Sequence, residues 1–276
     1  KLTAGICCDI ASAQAVCRHL GIPHRVIDMQ AEFERSVIHD FVEEYRHGRT
    51  PNPCIRCNDI IKFEKLLSYA HTEGFDRLAT GHYARIDFDS SANRHRLKKG
   101  ADEDKDQSYF LYRLSQKQLQ RILFPLGEYR KSDVRRFAAD GNLPAAERPE
   151  SQEICFVPGN NYRSFLKERA PEVLREGELV MTDGSVVGRH IGVAFYTIGQ
   201  RRGLGVAAGE RLYVVRIETD SIRVVLGPKP EMETDQMIVS NLRFLPFDRL
   251  VSPLRADVKV RYRSTLVPAA LQPLPD

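Results

Sequence analysis

The spacing of apolar residues predicts alternating helices and strands over the first half of the chain. Apolar positions three and four apart predict a first helix, with Asp9 placed to cap it and Gly21 to end it. Residues 22–29 read as a buried strand, and residues 33–45 return to helical spacing until Gly48. Because strands and helices alternate, we expect a parallel α/β sheet, in which ligands bind at the carboxyl ends of the strands.

Further along the chain, the pattern predicts a helical region followed by a β region. Residues 58–73 have helical spacing, and residues 75–83 read as a short strand that runs into a turn. Residues 115–169 are mostly helical, whereas from about residue 178 apolar and polar positions alternate. The two clearest hairpin turns lie at residues 182–185 and 218–221.

A separate small β module is predicted near the end of the chain. The segment Gly-Pro-Lys-Pro at residues 227–230 is the best linker candidate, and residues 237–244 and 256–262 have patterns typical of strands. Three basic residues alternate here, namely Lys259, Arg261 and Arg263. On a strand they would share one face, which suits phosphate contacts, although a solvated charged face is the commoner explanation.

Composition narrows the class of protein. The chain has 276 residues, 42% hydrophobic and 28% charged, which is typical of a globular protein of about two domains. A net charge of +4 is too small to indicate nucleic-acid binding, so only local clusters of basic residues can support that function. No apolar run is long enough to span a membrane and no leader sequence is visible, so we expect a cytoplasmic protein without membrane contact. The chain starts at Lys1 without Met and stops at Asp276 in predicted β structure, so both ends look cut.

Two cysteines three residues apart are the most informative chemical feature of the sequence. Cys54 and Cys57 lie in Gly-Arg-Thr-Pro-Asn-Pro-Cys-Ile-Arg-Cys-Asn at residues 48–58, away from apolar periodic positions. The two prolines argue against a helix or central strand, so we expect a rigid loop that displays both thiols. The two arginines should favour the thiolate, and Asn58 is placed to cap the next helix, which puts Cys57 beside a helix N-terminus.

Spacing alone leaves the role of these cysteines open. A Cys-x-x-Cys pair is often half of a structural zinc site, although no second Cys or His pair with the usual spacing is visible. Six cysteines in 276 residues do not indicate a secreted disulfide scaffold, and incidental thiols are a further explanation. Reactive or cluster-binding cysteines are the leading interpretation.

Four further stretches are candidates for chemistry, and each has an ordinary structural alternative. Cys155 lies in a short extended polar segment, but a lone cysteine is more often a buried small hydrophobe. Ala-Thr-Gly-His-Tyr at residues 79–83 ends a strand with a glycine that a ligand can approach, or is a plain turn. Residues 102–110 are acidic and amide-rich, or simply a solvated loop. Gln-Arg-Arg-Gly-Leu-Gly at residues 200–205 is a basic candidate for phosphate contact, or a charged solvent face.

Six motifs, in order along nearly the whole chain, resemble those of the tRNA-specific 2-thiouridylase family. They are Gly-Arg-Thr-Pro-Asn-Pro with Cys-Asn at residues 48–58, Ala-Thr-Gly-His-Tyr at 79–83, Lys-Asp-Gln-Ser-Tyr-Phe-Leu at 105–111, Ile-Cys-Phe at 154–156, Gly-Gln-Arg at 199–201 and Arg-Tyr-Arg at 261–263. The resemblance implies an α/β fold with three domains. These are a truncated Rossmann-like ATP-pyrophosphatase (PP-loop) domain at 1–118 with 144–160 packing back onto it, a helical/β central linking domain at 119–229, and an incomplete small C-terminal β-barrel at 230–276.

The resemblance also implies a reaction, which is ATP-dependent sulfur transfer to C2 of the wobble uridine in tRNAs for Lys, Glu and Gln. The C2 oxygen would be adenylated and a cysteine persulfide would supply the sulfur, giving 2-thiouridine. The implied cofactor is ATP with Mg²⁺, and the implied partners are tRNA and a sulfur donor protein of a cysteine desulfurase relay. A uridine carbonyl is a poor electrophile until its oxygen becomes a leaving group, and a thiolate or persulfide is a suitable soft nucleophile. The target base must also leave the stack to be reached.

Position by position, the resemblance implies a role for each matched residue. Cys57 would be the nucleophile and Cys155 the persulfide carrier, so Cys155 must fold back within disulfide or cluster reach of the segment that contains Cys54 and Cys57. The other implied contacts are the target base at Asn52, Pro53 and Cys54, ATP at Gly81, and tRNA at His82, Lys105, Asp106, Gln107, Arg261 and Tyr262.

Two departures from the family pattern leave alternatives. The Ser-Gly-Gly-x-Asp-Ser phosphate loop of the family would precede Lys1, so we expect the chain as it stands to bind ATP poorly. Cys54 stands where many members carry Asp, and with Cys57 and Cys155 it makes the three-thiol set of related iron–sulfur-dependent tRNA thiolases. The alternatives are that iron–sulfur thiolase, a PP-loop enzyme acting on a small molecule, and a tRNA- or metal-binding module without catalysis. The persulfide route is preferred because its two cysteines match position by position.

Overall fold

The computed structural model describes residues 10–144, 146 and 154–274. The helices of this part are α1 (Ile10–Leu20), α2 (residues 30–46), α3 (residues 53–72), α4 (Gln116–Leu119), α5 (Lys131–Asp140), α6 (Tyr162–Arg169) and α7 (Lys229–Met232). The strands are β1 (Leu78–Ala79), β2 (Ala84–Asp89), β3 (Arg94–Lys99), β4 (Ile122–Leu123), β5 (Gly177–Met181), β6 (Val186–His190), β7 (Tyr213–Glu218), β8 (Arg223–Gly227), β9 (Leu254–Val258) and β10 (Val267–Leu271). Short 3₁₀ turns lie at Ser108–Phe110, Pro158–Asn160, Pro171–Val173 and Val193–Phe195.

The two long helices each contain a π-helical stretch. α2 consists of Gln30–Phe33, the π stretch Glu34–Ile38, and His39–Arg46. α3 consists of Pro53–Arg56, the π stretch Cys57–Leu66, and Leu67–Thr72. Stretches of this kind are uncommon and are often found at functional sites.

The described residues divide into two compact units. The first contains residues 10–57 and 154–238, and the second contains residues 58–144, 146 and 239–274. The chain therefore contributes two separate segments to each unit. The predicted domain boundaries at 118/119 and 229/230 stay a prediction.

The first predicted helix is confirmed, but the strand predicted after it is wrong. α1 ends at Gly21 as expected, where the N–H of Ile22 donates to the carbonyl oxygen of Cys17 at 3.0 Å. The proposed capping residue Asp9 lies outside the described residues. Residues 22–29 form neither helix nor strand, because Pro23 lacks an N–H and, among the described residues, no strand pairs with this segment.

α2 confirms the second predicted helix and supplies much of the core of the first unit. Val37, Ile38, Phe41 and Tyr45 are buried, which is the apolar face that the spacing predicts. Phe41 is fully buried and lies edge-on to Phe156, with ring centroids 5.2 Å apart. α2 therefore holds a segment that follows it by more than a hundred residues.

The larger sheet of the first unit has the strand order β6-β5-β8-β7. Both predicted hairpin turns are confirmed, since β5 pairs antiparallel with β6 and β7 pairs antiparallel with β8. β5 and β8 run parallel, so the two hairpins join into one sheet. One side of the sheet packs a core that contains Leu179, Leu204, Leu212, Val214, Val224 and Leu226.

The second unit is built around a short parallel pair and a longer hairpin. β1 pairs parallel with β4, and this two-residue pair is the part of the predicted parallel sheet that the described residues contain. β2 and β3 form an antiparallel hairpin. The buried core of this unit contains Phe63, Leu67, Ala84, Leu111, Leu114, Leu119 and Ile122.

The predicted strands of the C-terminal segment need correction. Residues 237–244 form no strand, and the strand predicted at 256–262 ends early, at Val258 of β9. β9 pairs antiparallel with β10, and residues 259–264 form the connection between them. There the side-chain oxygen of Ser264 accepts from the N–H of Arg261 at 3.1 Å, which favours a turn over an extended strand.

Phe41→Ala should destabilise the first unit by about 3–5 kcal/mol, because it removes a fully buried ring from a core that cannot collapse to fill the space. Urea unfolding measures the change. Val186→Ala is the control, since Val186 is 57% exposed and should change stability by less than about 0.5 kcal/mol. Equal effects of the two substitutions would contradict the central role of Phe41.

Candidate active site

The cysteine segment begins a helix, which corrects the expectation of a loop. α3 starts at Pro53, and Asn52 takes the extended conformation of an N-cap residue, with φ −117° and ψ 92°. Proline is tolerated at the first helical position because its missing N–H would have no helical partner there. Asn52, and not Asn58, therefore occupies the N-cap position, although its side chain makes no capping hydrogen bond, and Cys57 lies beyond the first turn of the helix. Cys54 and Cys57 lie in the first turns of α3, three residues apart and hence on one side of the helix.

Cys155 lies in a turn and not in an extended segment. The N–H of Val157 donates to the carbonyl oxygen of Ile154 at 2.9 Å, and this bond closes the turn. The next two residues, Phe156 and Val157, are buried, whereas Cys155 itself is half-buried. The ring of Phe156 packs on three phenylalanines, Phe33, Phe41 and Phe165. The thiol of Cys155 is thus attached to a well-anchored aromatic residue.

α2 is the common support of both thiol-bearing segments. Asp40 of α2 forms an ion pair with Arg56, with Oδ1 and Nε 3.1 Å apart, and Arg56 directly precedes Cys57. The next residue of α2, Phe41, contacts Phe156, which directly follows Cys155. Two consecutive residues of one helix therefore hold the chain next to each of the two cysteines.

The two arginines near the cysteines are neutralised by carboxylates of α2, which the sequence did not indicate. Arg49 donates two hydrogen bonds to Glu44, at 2.7 and 2.6 Å, and these lower the pKa of Glu44. Burial raises the pKa of Asp40, and the charge of Arg56 opposes that effect. The expected promotion of the thiolates by these two arginines is therefore weakened.

The cysteines that the structure describes form neither a disulfide nor a metal-binding set. Among the residues that the structure describes, Cys17, Cys54, Cys57 and Cys155 form no disulfide, so the disulfide expected at the site is not borne out. Nor do any three His, Cys, Asp or Glu side chains in that part of the chain lie close enough to hold a metal ion. Within this part of the chain, the three thiols proposed for an iron–sulfur cluster therefore do not form a ligand set.

Gly81 and His82 occupy different environments in the second unit. Gly81 is exposed just after the carboxyl end of β1, where its backbone is accessible to a ligand. His82 is buried between Phe63 and Phe124, and its Nδ1 lies 2.7 Å from Oγ1 of Thr80. Burial, with a smaller contribution from Lys62, lowers the pKa of His82 to about 3. A direct tRNA contact by His82 stays a prediction.

The structure brings together the two stretches predicted to bind tRNA. The ring of Tyr262 lies 4.4 Å from that of Phe110, and its hydroxyl donates to the carbonyl oxygen of Asp106 at 3.4 Å. Arg261, next to it, is exposed. The second unit therefore presents the residues 105–107 and 261–262 side by side.

The side chains of Asp106 and Gln107 form hydrogen bonds within the protein. The buried carboxylate of Asp106 accepts hydrogen bonds from the N–H of Gly100 and from the N–H and hydroxyl of Ser108. Gln107 accepts from the N–H of Tyr83 at 3.0 Å. Both side chains shape the segment, and their contact with tRNA stays a prediction.

Sequence reasoning missed the polar residues that support the site. Asp40 and Glu44 lie four residues apart on the polar side of a helix whose apolar side was recognised, and this spacing was the available signal. The contact between Thr50 and Thr197 could not be predicted in this way, because 147 residues of chain separate them. Their hydroxyl oxygens lie 2.9 Å apart. Contacts of that kind arise only in the folded chain.

Comparison with known proteins places the chain in a family. Residues 2–159 match the tRNA methyl transferase HUP domain and residues 163–228 match the tRNA methyl transferase PRC-barrel domain. The tRNA-specific 2-thiouridylase MnmA of Acetivibrio thermocellus is 43% identical over 279 residues, which cover all of this chain and 78% of the relative. The chain belongs to the tRNA-specific 2-thiouridylase (MnmA) family.

Two further relatives carry the same name. The protein from Carboxydothermus hydrogenoformans is 47% identical over 269 residues, covering 96% of this chain and 74% of that protein. The protein from Roseiflexus castenholzii is 43% identical over 291 residues, covering 99% of this chain and 78% of that protein. The family resemblance inferred from the six motifs is confirmed.

Family membership also confirms the fold class. A Rossmann-like HUP domain comes first, and a PRC-barrel domain that contains the sheet β6-β5-β8-β7 follows it. No helix in the described part of the chain is long and apolar enough to cross a membrane.

His82→Asn should reduce the pH dependence of stability. The unfolded chain takes up a proton at His82 near pH 6.5 and the folded chain only near pH 3, so stability falls as the pH falls from 6.5 towards 3. The loss at pH 5 should be about 2 kcal/mol, and the variant should lack this component. Urea unfolding at pH 7.5 and pH 5 measures it.

His71→Asn is the control for that experiment, since His71 is an exposed residue of α3. It should leave the difference between the two pH values as it is in the wild type. If His82→Asn does the same, the proton uptake on unfolding comes from another group.

Proposed function

We propose that this protein transfers sulfur to C2 of the wobble uridine of tRNAs for Lys, Glu and Gln, forming 2-thiouridine in an ATP-dependent reaction. Family membership supports tRNA 2-thiouridylation, since the relatives are tRNA-specific 2-thiouridylases and hence tRNA sulfurtransferases. The observation that carries the proposal is the shared support of Cys57 and Cys155 by Asp40 and Phe41 of α2. We keep the cytoplasmic location as part of the proposal, because tRNA is the substrate.

Cys57 and Cys155 supply the sulfur chemistry in this proposal. Cys155 carries the persulfide, whose terminal sulfur forms the new bond to C2 while the C2 oxygen departs. Cys57 acts as the nucleophile from the second turn of α3, because its thiolate then attacks the inner sulfur of Cys155. This attack breaks the S–S bond, releases 2-thiouridine and leaves a disulfide between Cys57 and Cys155. Asn52, Pro53 and Cys54, at the start of the same helix, receive the target base.

ATP with Mg²⁺ fits the Rossmann-like fold of the first domain, and when bound it would supply the adenylyl group that makes the C2 oxygen a leaving group. The described residue that would meet it is Gly81, whose exposed backbone follows a strand of a parallel pair. A Cβ built on Gly81 would lie 3.6 Å from Leu126, so the neighbouring side chain leaves the backbone accessible. The sulfur donor protein of a cysteine desulfurase relay completes the proposed set of partners.

The tRNA-binding role is assigned to two cations of the second unit, the half-buried Lys105 and the exposed Arg261. Lys105 and Arg261 belong to two stretches that Tyr262 joins through its contacts with Phe110 and Asp106. His82, Asp106 and Gln107 hold this surface in shape, and Arg261 binds phosphate. A small-molecule substrate would not require a basic surface of this kind.

Cys57→Ser and Cys155→Ser should each abolish 2-thiouridine formation, because an alcohol is neither a soft nucleophile nor a persulfide carrier. The gene is expressed in a host that lacks 2-thiouridine, and the nucleosides of its tRNA are analysed by mass spectrometry. tRNA affinity should stay nearly unchanged in both variants. Normal thiolation by either variant would refute the assignment.

Cys17→Ser is the matched control, since this half-buried thiol of α1 lies outside the site and should be dispensable. Cys54→Ala tests the remaining alternative chemistry. An active, iron-free Cys54→Ala variant agrees with the persulfide route, whereas stoichiometric iron that disappears together with activity would establish the cluster route. Binding of tRNA without any thiolation by the wild type would favour the non-catalytic module.

Arg261→Ala should weaken the binding of all substrate tRNAs to a similar extent, because an exposed guanidinium contacts phosphate and not bases. The slope of log affinity against log salt concentration should flatten by about 0.7 to 0.9. Fluorescence anisotropy with labelled tRNA measures both quantities. Arg255→Ala, at an exposed position of β9 in the same hairpin, removes the same charge and should preserve the slope.

A further inference from the structure

The basic stretch at residues 200–205, here called the arginine–glycine loop, has no role in the function proposed above. Its shape is held from inside by Gln200, whose Oε1 accepts from the N–H of Thr197 at 3.1 Å and whose Nε2 donates to the carbonyl oxygen of Arg202 at 3.0 Å. Leu204 is buried in the core under the larger sheet. The loop is therefore a fixed feature of the first unit.

The two arginines of this loop lack a neutralising carboxylate. Arg201 and Arg202 are exposed, and among the described residues neither forms an ion pair. The exposed arginines of the neighbouring strands differ, since Arg216 pairs with Glu218 and Arg223 pairs with Glu178. Two adjacent guanidinium groups are thus available for an external anion.

The backbone of the loop adds uncharged donors. Gly203 and Gly205 have φ values of +72° and +71°, and nothing lies within 4 Å of where a Cβ would stand. Within the described part of the chain, neither N–H donates a hydrogen bond. Both glycines line a surface cavity with a volume of about 540 Å³, together with Arg201, Arg211 and Glu210. Exposed glycine amides beside arginines are a common way to bind phosphate.

A hydrogen bond ties the loop to the segment proposed to receive the target base. Oγ1 of Thr50 lies 2.9 Å from Oγ1 of Thr197, and Thr50 precedes Asn52 by two residues. Arg201 follows Thr197 by four residues, which span at most roughly 14 Å. With the target base held at Asn52, the arginines of the loop are therefore close enough to contact the phosphates of nucleotides next to it.

We propose that the arginine–glycine loop binds phosphates of the tRNA backbone next to the target uridine. Arg201 and Arg202 contact phosphate oxygens, and the N–H groups of Gly203 and Gly205 donate to the same anions. The inference rests on the proposed function, because it takes the target base to be at the start of α3. The first unit would then contact tRNA phosphates through this loop, and the second unit through Arg261.

The double variant Arg201→Ala/Arg202→Ala tests the proposal through the salt dependence of tRNA binding. Removing two phosphate contacts should flatten the slope of log affinity against log salt concentration by about 1.4 to 1.8. The loss of affinity between 50 and 200 mM salt should then be about tenfold smaller than in the wild type. Fluorescence anisotropy of the full chain with labelled substrate tRNA gives both values. Arg201→Lys/Arg202→Lys keeps the charge and should keep most of the slope, which separates lost contacts from misfolding.

Arg216→Ala/Arg223→Ala is the matched control, because it removes two exposed but ion-paired arginines from adjacent strands of the same unit. It should leave the slope unchanged. If both double variants change the slope equally, the loop contributes only its net charge and the proposal is refuted. Loss of ATP binding in place of tRNA binding would assign the phosphate to the nucleotide and overturn the proposal.

Failure of this inference and failure of the proposed function have different signatures. If the wild type binds tRNA and forms 2-thiouridine but Arg201→Ala/Arg202→Ala keeps the full slope, only the role of the loop is refuted. If the wild type binds no tRNA, the proposed function is refuted and the role of the loop with it.

Discussion

The packing of Phe156 against α2 is the contact on which the candidate active site depends. Phe41 is fully buried, and its ring lies 5.2 Å from that of Phe156, so the turn with Cys155 is held to a helix from a distant part of the sequence. The entropy lost in closing so long a loop is large, and burial of several aromatic rings offsets it. The neighbouring residue Asp40 holds Arg56 at the start of α3. One turn of α2 thereby positions the residues next to Cys57 and Cys155.

The same helix also sets the electrostatics of the site. Glu44 and Asp40 pair with the two arginines that flank the cysteine segment, so those positive charges are balanced locally. These two arginines therefore contribute little to stabilising a negative sulfur on Cys57. In the proposed function, tRNA is attracted by arginines that have no such partners among the described residues, such as Arg201 and Arg202 in the first unit. Charges that hold the protein together and charges that meet the substrate are therefore different residues.

In the second unit, aromatic packing serves the same purpose as in the first. Tyr262 brings a turn of the C-terminal hairpin onto Phe110, and Lys259 lies over the ring of Tyr262 at 5.5 Å. Asp106 and Gln107 fasten the other side of this contact through buried hydrogen bonds. Residues that a motif comparison groups as tRNA-binding thus include some whose side chains are used to build the surface and one, Arg261, that is exposed on it.

The sequence by itself determined the features that depend on local periodicity and on side-chain order along the chain. Four features were predicted: the apolar face of α2, the end of α1 at Gly21, the two hairpin turns and the family of the protein. Each depends on residues that are close together in the sequence. Local rules failed where a distant partner decides the outcome. Residues 22–29 were expected to be a strand but form none, since a strand exists only when another pairs with it.

Only the tertiary structure decided how the site is assembled. Pro53 starts a helix although prolines argue against one, because it occupies the single turn that needs no N–H from it. The residues at 259–263 form a turn and not a basic strand, because Ser264 and Tyr262 hold them to other parts of the unit. Asp40 reaches Arg56, and Thr50 reaches Thr197, only once the chain is folded. Such pairings depend on packing between remote segments, which no local pattern of residues encodes.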